Sequence, residues 1–333
     1  MKTLFYSTQN FELEYLTKEE KKQNQENNTF DYIPYALKLD SAILAEGYDA
    51  ISINTGDDAS EKVLEILAWL NIKKIAIRAA GYDNVDLKKA KELGFQVANV
   101  PDYSPSAIAE FAITLMLNLA RKIKTTEKQV KEYDFRTENL IGFELNQKTI
   151  GIIGTGHIGA KVAKILYAFG AKILAFDLNQ NEELKKELEI EYRPLQYLIK
   201  ESDIISIHTG LNPNTRHMIG EDQIKLMKPG VMLINTGRGA CIETKAVLDA
   251  LKEKKIGYFG ADVYEFEKGI FFHDFQKVPM KDPWLKELIE MENVIITPHQ
   301  AFATHEALTN IAKGTFESLG DWNLKNSLQR QIC

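Results

Sequence analysis

The sequence predicts an α/β fold of two domains, each a mainly parallel sheet wrapped by helices, with one domain threaded through the other. Three observations carry this. Apolar, β-rich runs alternate with helical patterns along almost the whole chain, as parallel sheets with crossover helices require. A complete six-strand doubly wound unit starts only at Thr149, with a separate α/β unit before it and a lone helix after it. The 333 residues also exceed the usual single domain of roughly 100–200. The expected division is 1–102 with 300–333 for the discontinuous domain and 103–299 for the inserted one. Two hinges, near 102 and near 299, would then cross any cleft between them.

In the first segment, strands are expected at Thr3–Tyr6, Ala50–Ile53, Lys74–Ile77 and Gln96–Val100, each a short apolar run. Helices fall between them at Glu61–Leu70 and Leu87–Leu93, the latter stopped by Gly94. Lys18–Asn28 (KEEKKQNQENN) is polar and of mixed sign, the pattern of a solvated helix end and loop. Ser104-Pro105 supplies a cap and a first-turn proline for a long helix through Ala107–Val130. The interior of that helix (IAEFAITLMLNLA) is apolar on most faces, so it should lie between two layers or two subunits. Strands then follow near 149–154, 172–177, 203–208, 231–235, 258–263 and 294–297, and a last helix covers Ala301–Trp322. No internal repeat of 20–50 residues interrupts this order.

Composition excludes several classes of function. A hydrophobic content of 44% with 26% charged residues is ordinary for a globular chain. A formal charge of −6 lacks the basic excess of a nucleic-acid face, so no nucleic-acid partner is expected. Cys241 and Cys333 cannot build a disulfide framework or zinc knuckle. His157, His217, His273 and His305 show no metal-ligand spacing, so no metal site is expected. Cys241 reads as a small buried residue with no base signalled nearby, not as a nucleophile. Residues 1–10 become polar too soon for a signal peptide, and no run of about 18 apolar residues exists. The expectation is a cytoplasmic protein with no membrane partner.

Gly154-Thr155-Gly156-His157-Ile158-Gly159 matches G-x-G-x-x-G, of which about 0.07 chance matches are expected at this glycine content. Its context makes it specific. Thr149–Ile153 precedes it as a continuous strand, Ala160–Phe169 continues it as an amphipathic helix, and Asp177 closes the next strand 18 residues after Gly159. The glycines allow a tight turn and close backbone approach to a pyrophosphate at the helix N-terminus. Asp177 is placed to accept hydrogen bonds from adenine-ribose hydroxyls and would repel a 2′-phosphate. Leu178-Asn179-Gln180 offers no arginine to hold one, so NAD (as NADH) is expected in place of NADP. Polar residues also end the other strands, at His208-Thr209-Gly210, Asn235-Thr236-Gly237-Arg238-Gly239, Asp262 and Thr297-Pro298-His299. Strand ends of a doubly wound sheet are where its ligand binds.

Hydride transfer between nicotinamide and a carbonyl needs a proton donor, a cationic anchor and a group that keeps the donor charged. Arg238, between two glycines after a buried strand, suits a carboxylate clamp. His299 follows Pro298 at the expected hinge. Glu267 lies just past Asp262-Val263-Tyr264, and contact with His299 would favour the imidazolium. Each has a plainer alternative: His299 as a capped or core histidine, Glu265 in place of Glu267, and Arg238 as a ligand of cofactor phosphate.

On these residues the chain resembles the D-isomer-specific 2-hydroxyacid dehydrogenases, and within them the fermentative D-lactate group, over essentially its full length. The resemblance is carried by IAIRAAGYDNVDL (75–87), NVPDYSPSAIAE (99–110), IGIIGTGHIG (150–159), KILAFD (172–177), MKPGVMLINTGRGACIE (227–243), GADVYEFEKGIFFHD (260–274) and NVIITPHQAFATHEALT (293–309). It implies two domains of Rossmann-like and flavodoxin-like kind, the NAD-binding one inserted into a discontinuous substrate domain. It implies Arg238 as substrate-orienting cation, His299 as proton donor and Glu267, the second Glu of DVYEFE, as its acidic partner. Asp177 becomes the ribose ligand, while Asp262, His208, Thr209, Gly210, Thr215, Thr236 and Gly237 line the nicotinamide and its linkage. The loop Arg78–Gly81, including Ala80, would bind the substrate carboxylate through backbone N–H groups, with Tyr103 and Phe302 lining the substrate. Thr236 departs from the pattern, since many relatives carry Ser or Ala before the Arg. The implied activity is reduction of pyruvate to D-lactate by a homodimer, or by a tetramer of such dimers. Two other readings stay open. One is a reductase of bulkier 2-oxo acids, hydroxypyruvate or glyoxylate; the other is a non-catalytic NAD-sensing scaffold of the corepressor kind.

Overall fold

The computed structural model of the chain describes residues 1–23, 28–324 and 330–333. Residues 24–27 of the expected polar loop Lys18–Asn28 lie outside the described residues. The chain forms two compact units, Met1–Ser104 with Ala303–Cys333, and Pro105–Phe302. These cuts fall two to three residues beyond the expected hinges near 102 and 299, for local reasons. Pro105 opens the first helix of the inserted unit, and residues 300 and 301 are bonded to Asp262 of that unit.

The discontinuous unit consists of β1 (Lys2–Phe5), α1 (Asn10–Gln23), β2 (Thr29–Tyr32), β3 (Ala50–Ile53), α2 (Glu61–Trp69), β4 (Lys74–Ile77), α3 (Leu87–Glu92) and β5 (Gln96–Ala98), to which the last helix of the chain returns. Its sheet is all parallel in the order β2-β1-β3-β4-β5, the flavodoxin-like order. Side chains alternate between faces along each strand. Leu4, Ile51, Ile53, Ile75 and Ile77 pack with Val63, Leu64 and Leu67 of α2. Phe5, Ala50, Ala76 and Ala98 face the other way, onto Leu16 of α1 and Phe316 and Trp322 of the returning helix. Small strand residues on that second face leave room for the two large aromatic rings. Strand β2 was not expected: it is a half-exposed edge strand behind a polar run, and its sequence TFDY alternates polar and aromatic residues over only four positions.

The inserted unit runs α4 (Pro105–Ala120), α5 (Ile123–Lys131), β6 (Thr149–Ile153), α6 (His157–Ala168), β7 (Lys172–Phe176), α7 (Glu182–Leu188), β8 (Glu191–Tyr192), α8 (Leu195–Glu201), β9 (Ile204–Ile207), α9 (Glu221–Leu226), β10 (Val231–Asn235), α10 (Thr244–Lys252), β11 (Ile256–Ala261), α11 (Pro283–Glu290) and β12 (Val294–Ile296). The chain ends in α12 (His305–Leu324), the returning helix. The sheet is parallel throughout, ordered β12-β11-β10-β9-β6-β7-β8, a doubly wound sheet whose order reverses beside β6. One face packs against α4 and α6 through Ile150, Ile152, Met232 and Ile234, the other against α8 to α11 through Ile205, Ile207, Leu233 and Phe259. The sheet has seven strands where six were expected, because the two-residue edge strand β8 is too short to leave a periodic signal.

The long helix expected through Val130 is two helices. Lys122 adopts a left-handed backbone (φ 52°), and α5 restarts after it. The cause is tertiary: the loop at Gly142 and Phe143 crosses the end of α4, where Phe143 N–H donates to Ala120 O at 3.0 Å. A side chain at Gly142 would collide with that same carbonyl.

Candidate active site

Since all seven strands of the inserted unit are parallel, their C-terminal loops lie along one edge. After β6, Gly154 is left-handed (φ 90°), and a Cβ there would sit 2.7 Å from His208 O. A Cβ on Gly159 would collide with Gly154 O. Gly156, which precedes the first turn of α6, faces open space. The first and third glycines are thus demanded by packing and the second leaves the backbone approachable, as a phosphate cradle requires. His157 and Ile158 form the first turn of α6 behind it.

Asp177, at the end of β7, accepts three bonds: Thr155 N–H at 2.6 Å and Thr155 Oγ–H at 3.2 Å on Oδ2, and Asn179 N–H at 2.9 Å on Oδ1. Thr155 Oγ accepts in turn from Tyr192 O–H at 2.9 Å. The carboxylate is held facing the glycine loop with capacity for about one further donor. Tyr192 escaped sequence reading because it stands on the unexpected strand β8.

At the end of β9, His208 Nε2 lies 2.8 Å from Ser206 Oγ, while its Nδ1 is buried with no hydrogen-bond partner among the described residues. Burial lowers the His208 pKa to about 4, so the ring is neutral at pH 7. Thr236 Oγ, after the neighbouring strand β10, is likewise buried without a partner among the described residues. Orphaned buried polar atoms call for an explanation; with the glycine cradle and Asp177 they fit a dinucleotide lying along this edge. Thr209 and Gly210 follow His208, and Gly237 packs against Thr209 O. Thr215 is less available than expected, because its hydroxyl donates to Gly210 O at 2.7 Å and accepts from Asn212 N–H at 2.8 Å, closing its own turn.

Arg238, Glu267 and His299 follow β10, β11 and β12, three adjacent strands. The Arg238 loop is stapled by Asn235, whose amide donates to Arg238 O at 2.9 Å and accepts from Gly237 N–H at 3.1 Å. Arg238 Nη1 donates to Gly237 O at 3.0 Å. Glu267 Oε1 lies 2.8 Å from His299 Nδ1, and Oε2 accepts Tyr264 N–H at 2.9 Å. A carboxylate only accepts, so Nδ1 carries the hydrogen, and Nε2 has no partner among the described residues. The His299 backbone is left-handed (φ 55°), a state His tolerates better than most residues. Asp262 holds that loop: it accepts Thr297 Oγ–H at 2.5 Å, Gln300 N–H at 2.9 Å and Ala301 N–H at 2.7 Å. Burial pushes the Asp262 carboxyl up despite these bonds. It is a clamp on the His299 loop and, like Asp177, keeps capacity for about one further donor. Phe302 ends the inserted unit, directly after that loop.

The two glutamates take different histidine partners. Glu267 meets His299, whereas Glu265 meets His217 at 2.5 Å and accepts Thr244 N–H at 3.0 Å. Among the described residues, no group of three or more His, Cys, Asp or Glu could hold a metal ion.

In the other unit, Arg78 is corrected. Its N–H donates to Ile53 O at 2.8 Å and its guanidinium is buried against Glu12, Ser52 and Tyr6, so neither end is open to a substrate. The loop after it does offer donors. Ala79 O and Ala80 O are tied back by Val100 N–H (3.0 Å) and the Asn99 amide (2.7 Å), while Ala79, Ala80 and Gly81 N–H meet no acceptor among the described residues. Tyr103 is anchored through its own carbonyl, which accepts from the Asn310 amide at 2.8 Å.

Comparisons with known proteins identify the family. The family described as "D-isomer specific 2-hydroxyacid dehydrogenase, NAD binding domain" matches residues 113–301. The chain is 42% identical to a D-lactate dehydrogenase of Escherichia coli over 96% of both chains. It is also 42% identical to an aromatic 2-oxoacid reductase of Clostridium sporogenes over 92% of both. The solved structure of D-lactate dehydrogenase from Aquifex aeolicus complexed with NAD and lactic acid superimposes with a TM-score of 0.89 at 32% identity, covering 99% of this chain and 98% of that one. The glycine cradle, Asp177 and the matched relatives place the chain in the D-isomer-specific 2-hydroxyacid dehydrogenases, as an NAD(H)-dependent oxidoreductase acting on small 2-oxo or 2-hydroxy acids.

Proposed function

We propose that the chain is a D-lactate dehydrogenase that reduces pyruvate to D-lactate, with Arg238, Glu267 and His299 as its catalytic residues. The observation that carries this is the His299–Glu267 pair, with Nδ1 tied to the carboxylate and Nε2 without a described partner. Bound NADH supplies the hydride. His299 gives its Nε2 proton to the ketone oxygen, so the carbonyl gains one hydride and one proton. Glu267 fixes the ring and offsets the cost of carrying its charge in a half-buried position. Arg238 orients the substrate through its carboxylate and carbonyl oxygens, as a planar fork of donors does best. Ala80 and Gly81 N–H are assigned as further donors to the carboxylate, with Tyr103 and Phe302 against the substrate.

A second reading concerns substrate size. Identity to the aromatic 2-oxoacid reductase equals identity to the D-lactate dehydrogenase, which supports a bulkier 2-oxo acid as the alternative. Loss of NADH absorbance with pyruvate, 2-oxoisocaproate, phenylpyruvate and hydroxypyruvate at matched concentrations tests both. The highest kcat/KM with pyruvate is expected; a tenfold preference for a bulkier acid would replace the lactate assignment.

We also infer a homodimer formed through α5 and the arm that follows it. No residue of α5 is buried, and Ile123, Val130, Tyr133, Phe135 and Ile141 are exposed large apolar side chains within one short stretch, the kind of patch that marks a protein interface. A monomer by sedimentation at micromolar concentration would refute it.

A further inference from the structure

The stretch after β11 carries a second glutamate–histidine pair, whose use the reaction leaves open. Glu265 is buried, its side chain 6% exposed, and both of its oxygens are engaged, Oε1 with His217 Nε2 at 2.5 Å and Oε2 with Thr244 N–H at 3.0 Å. His217 sits at φ 51°, a left-handed backbone like that of His299. Such a conformation persists in a non-glycine residue only where its surroundings over-determine it.

The pair encloses the loop that carries Arg238. On one side, residues 217–219 run beside 240–243: His217 N–H donates to Ala240 O (2.8 Å), Ile219 N–H to Cys241 O (3.1 Å) and Glu243 N–H to Ile219 O (2.9 Å). On the other side, Gly239 lies so close to the Tyr264–Glu265 peptide that a Cβ would collide with it. Glu265 reaches over the loop and joins the two walls. A helix cap alone does not account for this. Glu243 occupies the cap position of α10 and makes no side-chain cap, so the cap is delivered by a residue 22 positions later, whose other oxygen is committed to His217.

We propose that His217 and Glu265 are positioning residues for Arg238: their bridge latches the 237–241 loop onto the stretch that carries Glu267. Arg238 and the His299–Glu267 pair then keep one relative placement, because both are referred to the backbone at 264–267. The consequence for substrate rests on the reading of Arg238 as the group that orients the 2-oxo acid. Loosening the latch leaves the glycine cradle and Asp177 untouched and weakens the hold of Arg238 on the substrate carboxylate, a loss of binding that appears in KM.

The test uses the full-length enzyme with His217→Ala, His217→Gln, Glu265→Ala and Arg238→Gln, assayed for pyruvate KM, kcat and NADH Kd. Amide hydrogen exchange of 237–242 is followed in parallel. His217→Ala, at a half-exposed side chain, is the primary variant, since Glu265→Ala also removes a helix cap. His217→Ala is expected to raise pyruvate KM about tenfold, with NADH Kd within about twofold and kcat within about threefold. Exchange at 237–242 should rise, and His217→Gln, which restores a donor to Glu265, should recover KM to within about threefold of the parent. If Glu265→Ala folds, the double alanine variant should be no worse than the worse single one, as members of one unit are not additive. Unchanged KM in His217→Ala alongside a raised KM in Arg238→Gln overturns the latch. Should Arg238→Gln itself leave KM unchanged, the reading of Arg238 falls, and the exchange data judge the latch alone: raised exchange supports it and unchanged exchange overturns it.

Discussion

Arg78 offers the sharpest separation of a structural from a functional role. Its guanidinium and the Glu12 carboxylate are almost fully buried, with Nε–Oε2 at 3.2 Å and Nη2–Oε1 at 3.3 Å. The remaining donors reach Ser52 Oγ (3.1 Å) and Tyr6 O (2.7 Å), and the group lies over the Phe5 ring. Taking Arg78 away leaves Glu12 buried without its cation, which costs about 3–5 kcal/mol, while replacing both ions by apolar groups of similar volume is often close to neutral. With a urea m-value of about 2–3 kcal/mol/M for a unit of this size, Arg78→Met should lower the unfolding midpoint by about 1–2.5 M. Arg78→Met with Glu12→Leu should recover most of that loss. The assay is urea unfolding followed by tryptophan fluorescence of this unit, from buried Trp322 and exposed Trp69, in a Trp284→Phe background that silences the other unit. Equal midpoints for the single and double variants would refute the ion-pair account. The double variant also tests the substrate assignment. If it regains the parent midpoint and its pyruvate KM stays within twofold, Arg78 is a core residue; a tenfold rise in KM at parent stability would return it to the substrate loop.

His299→Gln should cut kcat by about 10²–10⁴ with NADH binding intact; a loss under tenfold would remove His299 as the acid. Asp177→Ala should weaken NADH and relax discrimination against NADPH, read from the ratio of the two kcat/KM values, and an unchanged ratio would refute the ribose assignment. His208 predicts a pH dependence of stability. Its folded pKa of about 4 lies below the ordinary imidazole value of about 6.5, so the unfolded chain binds the proton first. Stability from this group is intact above about pH 7 and falls as pH drops from about 6.5 toward 4, by up to about 3 kcal/mol. Asp57 and Asp262, pushed up by burial, act in the opposite sense, so the measurement is the difference in urea midpoint between the parent and His208→Gln across pH 4–7. A difference that does not change with pH would refute the burial of a neutral ring.

The parts legible in the sequence are those where one residue type answers one backbone need. Gly154 and Gly159 stand where a side chain would strike His208 O or Gly154 O, and the apolar runs Thr149–Ile153 and Val231–Asn235 became buried central strands. Elements with no composition of their own were not legible. Strands β2 and β8 exist because a neighbouring strand offers them hydrogen bonds, and the break at Lys122 comes from a loop 20 residues later. In the site, the sequence could place Arg238, Glu267 and His299 on successive strand ends but could not by itself choose between two glutamates. Two positions along that loop decide whether a carboxylate faces His299 or His217. Arg78 misled for the opposite reason. It entered with the loop whose backbone N–H groups the resemblance assigns to the substrate, and only the fold supplies Ile53 O to occupy its N–H and Glu12, 66 positions away, to bury its side chain.

Three carboxylates from one six-residue stretch, Asp262, Glu265 and Glu267, serve three different loops. Asp262 fixes the backbone at 297–301, Glu265 joins His217 to the start of α10, and Glu267 holds His299. Their chemistry is the same; what differs is how much of the partner remains uncommitted. Asp262 bonds mainly to backbone N–H groups, which carry no exchangeable charge. Glu265 engages the imidazole through Nε2 beside the Arg238 loop, so in the proposed latch its histidine works as a strut. Only Glu267 grips its histidine by Nδ1, the arrangement that the proposed proton transfer from Nε2 requires, since the ring then stays oriented. All three follow β11, the strand between those that carry the Arg238 and His299 loops, so one short stretch of backbone governs both proposed catalytic neighbours. A shift there would disturb orientation and proton transfer together, while a shift at the glycine cradle would disturb cofactor binding alone.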